Sequence, residues 1–212
     1  MTSVRTVVHL VRHGEVYNPD KILYGRLPGY HLSDRGRQMA TIVADHLAGR
    51  DVAHVISSSL TRARETAAPI AARHTLHAET DDRVIEAAND FEGSQVTLKT
   101  FLDPRALYRY RDPRKPSWGE PYAEVAARMS AAITDARAAA RGREAVIVSH
   151  QMPIWIARAA AEGRRLWHDP RSRECSLASV TSFTYADDRL TAIAYAEPAR
   201  ALLSDETTSV GA

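Results

Sequence analysis

Apolar residues follow two rhythms along the 212-residue chain. Short unbroken apolar runs occur at "RTVVHLV" (5–11), "DVAHVISSS" (51–59) and "EAVIVSHQ" (144–151). Each has the length and β-branched content of a strand covered on both faces. Between them, apolar positions recur at helical spacing. Met39, Ile42, Val43 and Leu47 share one face, with Ser33 placed to cap the start and Gly49 to stop the end. Leu60, Ala63, Ala67, Ile70 and Ala71 form a second stripe over 60–74, which Pro69 is expected to bend or shorten. Tyr122, Val125, Met129, Ile133, Ala136 and Ala140 form a third, closed by Gly142. A further helix is predicted over 153–163, opening on Pro153 at a position that tolerates proline. Residues 177–198 predict two strands joined at Asp187-Asp188 as a hairpin.

Two stretches lack a clean period. Residues 17–36 hold two prolines and three glycines and predict a turn-rich loop. Residues 75–120 predict at most one strand followed by a segment rich in proline, arginine and aromatics, the kind that is functional or mobile inside a domain. Alternating strands and helices closed by a hairpin specify an α/β three-layer sandwich, its sheet mainly parallel with an antiparallel edge. No repeat or linker divides the chain. One domain over 1–198 is expected, with 199–212 a frayed tail of small and polar residues.

Composition narrows the function by exclusion. Net charge is +2 and no run of five basic residues occurs, so nucleic acid is not an expected partner. No 18-residue apolar run exists, and the N-terminus lacks the apolar core of a signal peptide, so no membrane association is expected. Cys175 is the single cysteine, which excludes an intrachain disulfide and a Cys-rich zinc site and fits a reducing cytoplasm. Only three of 28 basic residues are lysine. Arginine is the better bidentate partner for phosphate and carboxylate, although codon bias produces the same composition.

The chemistry concentrates at strand ends. The first strand runs straight into Arg12 and His13, and the third good strand ends in His150. Placing such groups at the end of an apolar strand costs desolvation, which a ligand or a reaction would explain. Ligands of open parallel sheets sit beyond the carboxyl ends of the strands, so both histidines converge on one crevice although 137 positions separate them. The second strand brings Ser57, Ser58 and Ser59 to the same rim, and the next helix carries Arg62 in its first turn. A helix N-terminus beside an arginine is a ready anion site. Zinc is the rival reading of two histidines, but zinc wants a third protein ligand and neutral or anionic neighbours, and two guanidinium groups repel a dication.

"LVRHGE" (10–15), "SSSLTRARETA" (57–67) and "VIVSHQ" (146–151) together resemble the histidine phosphatase superfamily, whose fold is phosphoglycerate-mutase-like. The resemblance runs in the right order over about the first 185 residues. It implies a phosphohistidine mechanism in which His13 is the nucleophile and Arg12, Arg62 and His150 hold the phosphoryl oxygens. His13 must be neutral to attack, and the flanking arginines favour that state. The resemblance places the proton-donating carboxyl in "RVIEAANDFEG" (83–93), at Glu86, with Asp90 and Glu92 as alternatives. Asn18 resembles the family's phosphate-contacting asparagine but stands one residue early, after Val16 where a serine or threonine is usual. Arg26 of "YGR" falls where the family's substrate loop lies, and Gln151 replaces a common glycine after the final histidine. Ser57 joins the expected phosphate contacts. Glu120 is read as a helix cap, Arg105, Arg109, Arg111 and Arg114 as solvated or touching an acidic substrate tail, and the remaining histidines as surface or satisfied core.

The expected activity is therefore metal-independent hydrolysis of a phosphomonoester on a small phosphorylated metabolite, with no cofactor. Two alternatives stay open: a cofactor-dependent phosphoglycerate mutase, which must keep water from its phosphoenzyme, and a non-catalytic phospho-ligand binder. A homodimer is compatible with the sequence.

Overall fold

The computed structural model of the protein describes residues 3–95 and 119–203. Strand β1 (Arg5–Arg12) leads into a long loop and helix α1 (Asp34–Leu47), then β2 (Val52–Ser57), α2 (Thr61–Arg73) and a two-residue strand β3 (Glu79–Thr80). A 3₁₀ turn (Asp82–Val84) follows, and then α3 (Tyr122–Ala139), β4 (Glu144–Ser149), α4 (Gln151–Ala161) and the hairpin β5 (Val180–Ala186)–β6 (Arg189–Ala196). The six strands form one sheet in the order β3-β2-β4-β1-β5-β6. The first four in that order run parallel; β5 lies antiparallel to β1, and β6 to β5.

Helices cover both faces of the sheet. Leu10 and Ile147 pack with Val125, Met129, Ile133 and Ile154 of α3 and α4. Their neighbours Val11, Val146 and Val148 point the other way, against Met39, Val43, Leu47, Ala67 and Ile70 of α1 and α2. Adjacent strand residues face opposite sides, and both faces are dry, which is why the central strands read as continuous apolar runs rather than alternating ones. The α/β fold, its three layers and its mainly parallel sheet match the expectation from sequence. Each apolar helical stripe is buried, and Ser33 Oγ caps α1 by accepting from the Gly36 N–H at 3.0 Å.

Several local expectations need correction. Pro69 does not break α2, which runs unbroken from Thr61 to Arg73, its buried face of Ala63, Ala67, Ile70 and Ala71 outweighing one missing hydrogen bond. Helix α4 starts at Gln151, two residues before Pro153, with His150 as its N-cap in extended conformation. Proline is tolerated there because N–H groups of the first turn have no intrahelical acceptor. The chain after 198 is not frayed at once: Ala199 is buried in the α1–α2 core and Arg200–Leu202 forms a 3₁₀ turn. Residues 204–212 lie outside the described residues, as does half of the uncertain 75–120 segment (96–118), including Arg105, Arg109, Arg111 and Arg114.

One close approach carries the site. Gly14 and Gly36 face each other where the loop after β1 meets the first turn of α1; a Cβ on Gly14 would come within 2.5 Å of the Gly36 carbonyl oxygen, and one on Gly36 would fall on the Glu15 carbonyl oxygen. Both obstacles are backbone and cannot swing aside. Gly36→Ala is therefore expected to destabilise the fold by about 1–3 kcal/mol and to lower the midpoint of urea unfolding; an unchanged midpoint would show that this contact is not rigid.

Candidate active site

The register of the sheet assembles the site. Arg12 pairs across β1–β4 with Ser149, and Ser57 of β2 pairs with Val148. The residue after each strand therefore lands beside its neighbour: His13 next to His150, and Ser58, on the other side of β4, within reach of His150. Backbone bonds extend the pairing one residue past the strands, with His13 N–H donating to Ser149 O and Ser58 N–H to Val148 O. The two imidazole rings meet edge to face, their centroids 5.1 Å apart. Helix α4 begins at this point, so its first-turn N–H groups and positive end of the dipole lie at the same place.

His13 is fully buried. Its Nδ1 lies 2.8 Å from the Gly14 carbonyl oxygen, an acceptor only, so Nδ1 carries the proton and donates. Nε2 is left with the lone pair, and the Arg62 Nε–H points to it at 3.3 Å. Burial, then the charges of Arg62 and Arg12, hold His13 well below its ordinary pKa, so it is a neutral base. His150 is driven the same way by burial and by Arg62, His13 and Arg12. Its Nε2 lies 2.8 Å from Ser58 Oγ, and its buried Nδ1 has no protein partner.

The arginines are held by neutral groups. Arg62, 1% exposed, donates Nη2 to the Gly25 carbonyl at 2.6 Å and lies 4.7 Å over the Tyr24 ring. One turn on, Thr66 Oγ1 donates to the Arg62 carbonyl and accepts from the Gly14 N–H, so a single helix fixes both the guanidinium and the loop of His13. Arg12 donates Nη1 to the Cys175 carbonyl at 2.7 Å, while its buried Nε finds no protein partner. Neither guanidinium has a carboxylate ion pair among the described residues.

Glu86 is a buried carboxyl, 2% exposed. Burial raises its pKa, against the opposing pull of the Ala87 N–H bond and of Arg62, Arg173 and Arg12. Oε1 accepts from Ala87 N–H at 2.9 Å; Oε2 is buried without a partner. Its backbone is clamped from both sides. Arg26 Nε donates to the Glu86 carbonyl at 2.7 Å, and Arg128 Nη1 donates to the carbonyls of Ile85 and Arg83 at 2.7 and 2.6 Å. Both arginines then share the Glu120 carboxylate. Glu120 is thus the knot of this clamp and not a helix cap; Pro121 occupies the N-cap of α3.

The remaining expected site residues divide. Arg26 is spent on Glu86 and Glu120, so it braces the site from the loop over His13. Asn18 closes its own loop, Nδ2 donating to Ile22 O and Oδ1 accepting from Ile22 N–H. That bonding ties both ends of its amide to one residue of its own loop. Ser57 Oγ is buried without a hydrogen-bond partner, while the next residue, Ser58, places its Oγ against His150. Gln151 stands at the start of α4, its Oε1 3.4 Å from Arg173 Nη1. Asp90 is exposed, and Glu92 accepts from the Arg26 N–H. No group of three or more metal-binding side chains occurs among the described residues.

Sequence reasoning missed Arg128, Arg173 and His168. None lies in a motif, and their helical or loop surroundings read as solvated; only the fold turns them inward. His9, read as ordinary core, is that: it bonds Glu144 and Ser182 within the sheet.

Two imidazoles, buried guanidinium groups without ion pairs and an elevated carboxyl beyond the ends of a parallel sheet define an α/β anion-handling protein. The chain belongs to the histidine phosphatase superfamily (branch 1), whose pattern matches residues 8–198. An uncharacterised protein of Mycobacterium tuberculosis is 57% identical over 196 residues, covering 92% of this chain and 97% of that one. A glucosyl-3-phosphoglycerate phosphatase of Mycolicibacterium vanbaalenii is 32% identical over 158 residues, 69% of each chain. Among solved structures, Bacillus stearothermophilus YhfR superposes with a TM-score of 0.76 at 26% identity, over 88% of this chain and 94% of that one.

Raising the Glu86 pKa in the fold has a consequence for stability. The folded state holds this proton more tightly than the unfolded chain, so the contribution is fully present below about 4.5 and is lost as pH rises through the folded value. Glu86→Gln cannot ionise. Its melting temperature is expected to gain on that of the wild type as pH rises from 4.5 toward neutrality, the two curves keeping their closest relation at the acid end. A constant gap across the range would mean that Glu86 is not strained by its burial.

Proposed function

We propose that the protein is a metal-independent phosphomonoesterase that works through a phosphohistidine on His13 and acts on a small phosphorylated metabolite in the cytoplasm. The observation that carries this reading is the state of His13: Nδ1–H tied to the Gly14 carbonyl, Nε2 unprotonated, and buried guanidinium charge around it with no carboxylate ion pair among the described residues. Such a site is built for an incoming dianion. The same charge disfavours a metal dication.

The steps follow from these positions. The Nε2 lone pair attacks phosphorus, and the bond from phosphorus to the ester oxygen breaks. Glu86, protonated, gives its proton to that departing oxygen. The imidazole becomes a cation on phosphorylation, and its Nδ1–H bond to Gly14 O strengthens. Arg12, Arg62 and His150 bear the charge on the phosphoryl oxygens, where phosphoryl transfer gains most of its acceleration. In the second half, the Glu86 carboxylate takes a proton from water, the water oxygen bonds to phosphorus, and the P–N bond breaks. His13 and Glu86 return to their starting states.

His13→Ala is expected to lower phosphate release from an aryl phosphate by at least about a thousandfold and to abolish acid-labile phosphoenzyme labelling; activity within tenfold of wild type would refute the nucleophile. Wild-type conversion of 3- to 2-phosphoglycerate without phosphate release would replace the reading with a mutase.

Glu86→Gln separates the acid from the rest. Esters with poor leaving groups need the proton and should slow by about 10²–10⁴-fold, nitrophenyl esters far less. On poor leaving groups the wild-type rate should trace a bell, its rising limb, as His13 loses its proton, lying well below 6.5 and its falling limb, as Glu86 ionises, lying above 4.5. Equal losses on both ester types would place the acid elsewhere.

A further inference from the structure

Ser58 is fully buried just past β2, and its N–H donates to Val148 O, two residues before His150. Strand pairing thus sets its hydroxyl beside that imidazole, with Oγ 2.8 Å from His150 Nε2. The same Oγ accepts a bond at 3.2 Å from the N–H of Leu60, the N-cap of α2. A hydroxyl has one hydrogen to give and two lone pairs to share. Leu60 engages one lone pair. Among the described residues, His150 Nε2 is the only other polar atom bonded to this oxygen.

The bond between Ser58 and His150 has a direction, and the direction decides what His150 can do. Burial first, and then the charge of Arg62, keep His150 neutral, so its ring carries one N–H and one lone pair. Suppose the proton sits on Nε2. Ser58 Oγ then receives two donors, the hydrogen of a fully buried hydroxyl has no acceptor, and Nδ1 offers only a lone pair. Suppose instead that it sits on Nδ1. Leu60 N–H then donates to Ser58, and Ser58 O–H donates to Nε2. The one hydrogen still without a protein acceptor is Nδ1–H, on a buried nitrogen that bonds nothing in the protein. Stranding a buried donor is costly in either case. Only in the second does an incoming phosphoryl oxygen relieve it. The two nitrogens of an imidazole point to well-separated sides of the ring, so with Nε2 on Ser58, Nδ1 faces away from that hydroxyl. Strand β4 stands between β2 and β1, so Ser58 and His13 flank His150 from opposite sides, the His13 ring 5.1 Å away.

We propose that Ser58 is a positioning residue that fixes His150 as the Nδ1–H tautomer and so makes it a hydrogen-bond donor to the phosphoryl group. The assignment rests on the phosphoryl pocket of the reading above. Both imidazoles then carry their proton on Nδ1, to opposite ends. Gly14 O holds the Nδ1–H of His13 and leaves Nε2 as the nucleophile. Ser58 occupies Nε2 of His150 and leaves Nδ1–H for the anion. A second lone pair turned on the phosphoryl oxygens would repel them.

Long-range proton–nitrogen NMR spectra read a histidine tautomer directly. The full chain, labelled at its histidine nitrogens, is compared as wild type, Ser58→Ala and Ser58→Thr near neutral pH, with His150→Gln identifying the His150 signals. Each is titrated with inorganic phosphate. In the wild type, His150 Nδ1 is expected to be the protonated nitrogen, and its proton signal to move downfield as phosphate binds. Ser58→Ala should populate the Nε2–H form and bind phosphate about 10- to 100-fold more weakly, the span of one hydrogen bond to a charged group. Ser58→Thr keeps the hydroxyl and should restore the tautomer, with phosphate affinity within about threefold of wild type. A wild-type His150 that is Nε2–H or doubly protonated overturns the proposal, as does a Ser58→Ala protein that keeps the wild-type tautomer or phosphate affinity. If Ser58→Ala does not fold, the wild-type titration carries the test, and an Nδ1–H signal indifferent to phosphate overturns it. If the wild type binds phosphate through Nδ1–H yet releases none from an aryl phosphate, the phosphomonoesterase reading falls and this assignment stands. Hydrolysis with the reversed tautomer removes this assignment alone, and a wild type that binds no phosphate removes both.

Discussion

Everything in this site depends on buried positive charge that is held in place without being neutralised. Arg12 and Arg62 are anchored through carbonyl oxygens, at Cys175 and Gly25, rather than through carboxylates. A carbonyl fixes a guanidinium in space but leaves its net charge, and in a low-dielectric setting that charge acts at full strength on its neighbours. Burial first, and then that charge, keep both histidines neutral. The charge also pulls on Glu86, where desolvation still prevails and the carboxyl is driven toward its protonated form. Had either arginine found a carboxylate, the pocket would be quieter, more stable and less able to attract an anion. Native proteins spend stability at functional sites in this manner.

Such charge can persist only in a rigid surround. The parallel β1–β4 pairing places two strand ends side by side, and the hydrogen bond from His13 N–H to Ser149 O carries that order beyond the strands. The loop after His13 is then gripped twice, by Thr66 from α2 and by the backbone contact between Gly14 and Gly36. Each grip comes from a different layer of the fold, so the nucleophile is located by packing on several sides rather than by its own loop.

Glu86 is placed by another device. It lies on irregular chain after a single 3₁₀ turn, where no ladder or helix fixes the backbone. Arg26 and Arg128 supply that order by binding the carbonyls of residues 83, 85 and 86, and Glu120 holds the two arginines together. Here arginine serves a structural purpose quite unlike that of Arg12 and Arg62: its charge is matched, and its fork geometry is what counts.

The sequence by itself determined the layers, the sheet and the strand-end histidines, because each follows from local pattern: apolar runs bounded by turns, stripes at helical spacing, and polar groups abruptly ending an apolar strand. Where a residue's partner lies far along the chain, pattern failed. Ser57 and Ser58 are indistinguishable as letters, yet the fold leaves the first hydroxyl buried without a partner and sets the second against His150. Arg128 and Arg173 look like any surface arginine, and Glu120 like any helix cap, until tertiary structure brings carbonyls and an imidazole to meet them. A guanidinium on a long flexible stem can point almost anywhere from its own backbone. Only the packed fold, by offering one acceptor and excluding the rest, decides where its charge is spent.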